Sequence, residues 1–271
     1  AGIKDIGIVV GPNKEQFIKL IKDGSSFNAK ITYIEQNEPK GLAHAVLVSK
    51  DFLADKDFIV YLGDNLLKSG IDDFVNSFNK SNSDASILLT SVSNPERFGV
   101  AKLDKNGNVL KLLEKPKNPP SNLAIVGVYA FRNSIFKAIK NIKPSKRNEL
   151  EITDAMQWLL DNNYKISSAI VKDWWKDTGA SDALLDANQI ILDGKIESLN
   201  LGKISSKATL KGRVKIDKDT VILDNCVIKG PVIIGKNCRI GPNTYIGPYT
   251  SIGNNVVIEK TEIEHSIVFN N

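Results

Sequence analysis

The chain has 271 residues, 42% hydrophobic and 25% charged, with a net charge of +5 at pH 7. These values describe one large or two ordinary globular domains and exclude a disordered chain. The positive excess comes from scattered lysines rather than a basic stripe, so nucleic-acid binding is not implied and small anionic substrates fit.

No apolar run approaches the roughly 18 residues of a membrane span, and no signal peptide is visible. The two cysteines, Cys226 and Cys238, form neither a disulfide framework nor a zinc pattern. The expected compartment is a reducing cytosol. The opening Ala1-Gly2-Ile3-Lys4-Asp5 reads as the lead-in to a strand from inside a domain. The expectation is that the chain is a piece of a longer protein.

Ile6 to Val10 reads as a short buried strand, Asn13 to Lys22 as a helix closed by Gly24, and Ile31 to Ile34 as a strand ending on Glu35-Gln36. Gly41 to Phe52 reads as one helix. Phe58 to Leu62 is an uninterrupted apolar run, the pattern of a strand covered on both faces of a parallel sheet, and it stops on Gly63-Asp64-Asn65. This alternation predicts a mostly parallel sheet with right-handed crossovers. Ligands of such sheets bind beyond the carboxyl ends of the strands, which makes Asp64 a metal or phosphate candidate.

A helix follows with Asp72 as its expected N-cap, then a strand from Ser86 to Val92. Phe98 to Asp104 and Val109 to Glu114 flank Asn106-Gly107, a hairpin signal. Leu123 to Phe131 is a long apolar strand. Ser134 to Lys140 and Thr153 to Asp161 read as helices, Lys165 to Val171 as a strand, and Ser181 to Leu192 as a closing helix. One domain is expected over 1–195 and a second over 196–271.

In the second stretch Ile216, Ile222, Ile228, Ile234, Ile240, Ile246, Ile252 and Ile258 recur every six residues. A six-residue period with one inward aliphatic per unit marks a β-helix, each hexapeptide forming one face of a triangular prism. Cys226 and Cys238 lie two hexapeptides apart, on different faces, so no disulfide is expected. The repeat is still running near the end, so this domain also reads as incomplete.

Four stretches carry polar chemistry: Gln36 to Ala45, Gly63-Asp64-Asn65, Glu114-Lys115-Pro116 and Trp175-Lys176-Asp177-Thr178-Gly179. Together with Arg97 to Ala101, Val126-Gly127-Val128-Tyr129 and Glu149 to Asp154, they resemble the sugar-1-phosphate nucleotidylyltransferases. Within that family the pattern is similar to the long form of glucose-1-phosphate thymidylyltransferase, which carries a C-terminal hexapeptide β-helix. The resemblance implies an α/β, Rossmann-like nucleotidyltransferase sheet with helices on both faces, followed by a left-handed parallel β-helix.

It also implies roles. Gln36 and Gly41 would meet the nucleobase, and Asp64 the nucleotide phosphates. Asp64 and Asp177 would hold Mg2+. Asn65, Gly99, Glu114, Lys115, Gly127, Tyr129, Glu151 and Trp175 would line the sugar 1-phosphate site, with Asp64, Lys115 and Asp177 as the catalytic set. Taken alone, Gln36 is a solvated strand end, Glu114-Lys115 a surface ion pair, and Trp175 a core ring. Charge at a helix N-terminus accounts for some of Glu149, Glu151 and Asp154. His44, on an early helix turn, reads as structural, and His265 carries no signal.

The family's opening G-x-G-T-R-L-x-P loop, which cradles the triphosphate, does not occur in this sequence. The implied reaction transfers a nucleotidyl group from dTTP to glucose 1-phosphate, giving dTDP-glucose and pyrophosphate. UTP-dependent glucose-1-phosphate or N-acetylglucosamine-1-phosphate uridylyltransferase is the near alternative, and a non-catalytic nucleotide-sugar binder the distant one. An acyltransferase site in the β-helix would want a histidine, and none lies between Ile216 and Ile258. The expected partners are a nucleoside triphosphate, a sugar 1-phosphate and further copies of the chain, associating as a trimer through the β-helix, with no nucleic acid and no membrane.

Overall fold

The architecture is taken from a computed structural model of the chain, which describes residues 1–270. The chain packs as two compact units, Ala1–Trp175 and Lys176–Asn271.

In the first unit, β1 (Asp5–Val10) leads through α1 (Lys14–Ile21) to β2 (Lys30–Glu35), and the two strands pair in parallel. Then come α2 (Leu42–Val48), α3 (Lys50–Leu53), β3 (Phe58–Tyr61), β4 (Asn65–Leu67) and α4 (Asp72–Lys80). A six-stranded sheet is completed by β5 (Ala85–Ser91), β6 (Gly99–Leu103), β7 (Val109–Glu114), β8 (Leu123–Phe131) and, after α5 (Ser134–Asn141) and α6 (Ile152–Asp161), β9 (Ile166–Ile170). The last strand, β10 (Trp175–Asp177), crosses the division between the units.

β8 is the spine of this unit. Every residue from Ala124 to Phe131 is buried, as its unbroken apolar run requires. The α/β class is as expected, but the strand sense is more mixed than the predicted mostly parallel sheet. β8 runs antiparallel to β3, β5 and β6, and within this sheet only β5–β9 is parallel. One cause is the Asn106-Gly107 turn, a short connection that can join only antiparallel strands. The Asp104 carboxylate braces that turn by accepting the Asn106 and Asn108 N–H groups at 2.7 and 2.9 Å.

β3 is covered unevenly: Phe58 is 8% exposed and Tyr61 43%. Both faces are covered, as expected, Phe58 and Val60 packing on one core cluster and Ile59 on another, and the exposure is confined to the Tyr61 end. The helix expected over 41–52 divides at Ser49, whose hydroxyl donates back to the Ala45 carbonyl at 2.8 Å and competes with the next helical turn. The helix expected to be capped by Asp72 instead starts on it. Ile87, Leu89, Leu112, Phe131, Ile135, Met156 and Leu159 fill the core between the sheet and α5–α6.

The second unit begins with α7 (Ser181–Lys195) and continues as a parallel β-helix. Its short strands stack in three sheets, one per prism face, with partners 18 residues apart through the middle coils: Ile216 beside Ile234 and that beside Ile252, Ile222 beside Ile240 and that beside Ile258, Ile228 beside Ile246. All eight repeat isoleucines are at most 7% exposed, consistent with the expected left-handed coil. Asn225, Asn237, Asn243 and Asn255 turn the corners with positive φ, which asparagine tolerates, and their amides form a ladder between coils. Cys226 and Cys238 are free and buried, and they precede strands of different sheets. No helix among the described residues is long and apolar enough to cross a membrane.

Candidate active site

The first unit gathers its candidate residues into three hydrogen-bonded groups. The first is centred on Asn65, 4% exposed, where the chain turns from β3 into β4. Its Oδ1 accepts the Trp175 indole N–H at 2.7 Å and the Gly127 backbone N–H at 3.0 Å. Its Nδ2 donates to Asp64 Oδ1 at 2.8 Å. Gly127 is required here: a Cβ would lie 2.7 Å from Asn65 Nδ2. Trp175 meets Phe98 edge-on at 5.6 Å between centroids. The indole is thus both packed and polar-bonded, so neither core ring nor pocket wall alone describes it.

The second group surrounds Glu114. The register Gly99↔Glu114 in the hairpin puts the carboxylate beside a residue without a side chain. Thr153, on the first turn of α6, donates its hydroxyl to Glu114 Oε2 at 2.7 Å, and Arg147 reaches Oε1 at 3.2 Å. Burial raises the Glu114 pKa, and the nearby Glu151 charge adds to this; Thr153, Arg147 and Lys115 oppose it. Tyr129, two residues beyond Gly127 on β8, is 6% exposed. Its phenol pKa is pushed up by burial and then by the Glu114 charge. Lys115 follows with φ 39°, a left-handed conformation uncommon for a residue with a Cβ, held by its N–H bond to the Phe98 carbonyl at 3.1 Å.

Glu151, 4% exposed, opens α6. Its carboxylate accepts two bonds of 2.9 Å from Arg147 Nη2 and one of 2.7 Å from the Ser145 hydroxyl. Both oxygens therefore have internal partners. Arg147 also lies 3.5 Å from Glu149, so one guanidinium serves three carboxylates.

The third group is Gln36, Gly41 and His44. Gly41, with φ 98°, sits against the chain at Leu150, where a Cβ would come within 2.7 Å of the carbonyl oxygen. The Gln36 amide nitrogen donates to the Gly41 carbonyl at 3.2 Å and lies 2.9 Å from His44 Nδ1. The 149–151 segment, which touches Gly41 at one end and carries Glu151 at the other, joins this group to the second. Phe98 joins the second to the first.

Asp177 belongs to the second unit, where its carboxylate accepts the Gly179 N–H at 2.9 Å. Among the described residues no three His, Cys, Asp or Glu side chains gather to hold a metal. Magnesium bound mainly through phosphate oxygens needs only one or two carboxylates, so the donor chemistry of Asp64 fits that ion.

Sequence reasoning missed Arg147, Thr153, Phe98 and the partnership of His44. Arg147 has no periodic signal because it lies in a loop. The available sign was a basic residue just ahead of Glu149 and Glu151, close to carboxylates it could neutralise.

Comparison with known proteins finds relatives of both parts of the chain. The family model described as nucleotidyl transferase matches residues 1–194, and that of bacterial transferase hexapeptide (six repeats) matches residues 213–248. The chain is 48% identical over 217 residues to the low-salt glycan biosynthesis nucleotidyltransferase Agl11 of Haloferax volcanii, covering 80% of this chain and 60% of that protein. It is 44% identical over 268 residues to a glucose-1-phosphate thymidylyltransferase of Streptomyces griseus, covering 99% and 75%. A crystal structure of UDP-glucose pyrophosphorylase complexed with UDP-glucose superposes with a TM-score of 0.64 at 24% identity, over 72% of this chain and 83% of that one, a likeness of fold.

Proposed function

The chain belongs to the nucleotidyl transferase family, and from that premise we propose that it transfers a thymidylyl group from dTTP to glucose 1-phosphate, giving dTDP-glucose and pyrophosphate. The observation that carries this reading is the Glu114 group. A half-buried carboxylate flanked by Gly99, Thr153 and Tyr129 keeps lone pairs beyond those that Thr153 and Arg147 engage, which offer acceptors for sugar hydroxyls, and the next residue, Lys115, supplies a cation for the sugar phosphate.

The phosphate oxygen of the sugar attacks the α-phosphorus in line, and the bond to the β-phosphate oxygen breaks. The nucleophile is already an anion, so no general base is required; orientation and charge placement carry the rate. Asp64 would hold a magnesium ion, which when bound would offset charge on the phosphates. Asn65 steadies the Asp64 carboxylate through its amide N–H. Gln36 and Gly41 are assigned to the base, and Gly127, Tyr129 and Trp175 to the sugar side with Asn65. Glu151, whose oxygens Arg147 and Ser145 already engage, shapes that side from behind.

UTP in place of dTTP is the second reading, because the open acceptor of Gln36 suits uracil as well as thymine. Both substrates are charged phosphates that do not cross a bilayer unaided, which supports a cytoplasmic location. Self-association of the β-helix as a trimer belongs to the same proposal, as does a catalytic domain ending near residue 195, which the family match ending at 194 supports.

The test is pyrophosphate release from dTTP or UTP with glucose 1-phosphate or N-acetylglucosamine 1-phosphate, with Asp64→Asn and Lys115→Ala as controls. Turnover lost in Asp64→Asn, with a sugar 1-phosphate KM raised more than the triphosphate KM in Lys115→Ala, is expected. Tight nucleotide-sugar binding with no pyrophosphate from any pair would replace the enzyme with a binding protein.

A further inference from the structure

Gln36 and His44 together decide which polar atom the glutamine turns outward. The Gly41 carbonyl can only accept, so its 3.2 Å contact identifies the nitrogen end of the Gln36 amide. The same nitrogen lies 2.9 Å from His44 Nδ1. An amide nitrogen can only donate, so Nδ1 presents its lone pair and the imidazole proton resides on Nε2. Both amide hydrogens are thereby engaged. No partner engages Gln36 Oε1 among the described residues. Turning the amide over would place that oxygen against two lone pairs and leave two acceptors without hydrogens.

We propose that His44 is a specificity-determining residue: by holding Gln36 oxygen-outward, it selects a nucleobase whose edge carries a ring N–H donor, the imide of uracil or thymine, over cytosine. Cytosine offers a lone pair at the corresponding ring nitrogen, and two facing acceptors repel. The inference rests on the nucleobase role assigned to Gln36 above. His44 acts through Gln36 and touches no substrate, so it is a positioning residue. It sits on α2, whose Ala45 N–H also donates to the Gly41 carbonyl at 3.2 Å, so one short segment carries both anchors of the amide.

The experiment measures dissociation constants of UTP, dTTP and CTP by calorimetry on the full chain, comparing wild type with His44→Leu, His44→Lys and Gln36→Leu. Wild type should favour UTP and dTTP over CTP by about tenfold or more. The lysine ammonium can only donate and draws Oε1 inward, so His44→Lys should cut that ratio about tenfold. His44→Leu should fall between. An unchanged UTP-to-CTP ratio in a folded His44→Lys protein overturns the inference while leaving the base-contact role of Gln36 standing. A Gln36→Leu protein that binds all three as wild type does removes that role itself, as does wild type binding none. Should His44→Lys fail to fold, nitrogen NMR of labelled histidine in the wild-type chain decides: a lone pair at Nδ1 is required, and a proton there refutes the proposal.

Discussion

At the residue scale, Asn65 and Gly127 are interlocked. An added methyl on Gly127 has nowhere to go except into the Asn65 amide, which would release Trp175 and Asp64 together. Gly127→Ala should therefore cost about 2–3 kcal/mol in denaturant unfolding and abolish product formation. Trp175→Phe removes the indole donor and part of the ring and should cost about 1–2 kcal/mol. If Gly127→Ala proves the milder of the two, the interlock is wrong. Glu114 makes the opposite kind of prediction. Burial raises its pKa above 4.5, so the fold disfavours its charged form. That cost is present above the folded-state pKa, shrinks as pH falls through it and is absent below the unfolded value near 4.5. Glu114→Gln should be as stable as wild type or up to about 1 kcal/mol more stable at pH 7, with the gap closing toward pH 4. It should also weaken sugar 1-phosphate binding about tenfold. Melting curves at both pH values and a KM comparison check the two halves separately.

At the element scale, the 142–151 connection between α5 and α6 holds three carboxylates in place through one arginine. Arg147→Met would leave the Glu151 carboxylate, 4% exposed, with the Ser145 hydroxyl as its remaining partner. Since Arg147 is itself 41% exposed, the expected loss is about 2 kcal/mol rather than that of a fully buried pair. Chemical unfolding measures it, and a loss under about 0.5 kcal/mol would mean the contacts are incidental. Elements of this kind are the least legible from sequence, because a loop residue gains its role from what tertiary packing brings to it. By contrast β8 was legible to the residue as Leu123–Phe131, since an uninterrupted apolar run has one outcome in a covered sheet. Its direction was not, because alternation and hydrophobicity carry no sign of strand sense. The division at Ser49 was hidden for a similar reason: one hydroxyl back-bond decides it. The Asp64, Gln36 and Glu114 motifs were visible as motifs, whereas the contacts of Thr153 with Glu114 and of Phe98 with Trp175 span dozens of residues, and that of His44 with Gln36, only eight residues apart, depends on how the loop between them folds.

At the scale of the whole molecule, the β-helix repeats one environment coil after coil, which is why its isoleucines could be placed by counting. Thr220, fully buried, is an exception to its apolar lining. Its hydroxyl donates to the Gly235 carbonyl at 2.6 Å and accepts the Cys238 N–H at 3.0 Å, tying neighbouring coils. Thr220→Val keeps the shape and strands both groups, so about 1–3 kcal/mol should be lost. Ile240→Ala, at a fully buried repeat position, should cost about 2–5 kcal/mol. Thermal unfolding ranks the two. A Thr220→Val protein as stable as wild type would show that neither polar atom depends on the hydroxyl.

Helix α7 works as a gauge laid along the coil. Near its end the Arg213 guanidinium donates to the Asp193 carbonyl at 2.7 Å, and further back Asn188 bonds Tyr249 and Ser251 at 3.0 and 2.6 Å. The two attachments are five residues apart on the helix, about 7–8 Å at 1.5 Å per residue. Through Val214, Val232 and Thr250 they are two coils apart on the prism, about 10 Å at the strand spacing. The helix therefore counts coils. Excising residues 217–234 would return every later strand to its own face, yet it would bring Ser251 one coil too near and unfasten one end of α7. Coils added beyond Ile252 escape the gauge, so the prism can change length on that side without disturbing the helix.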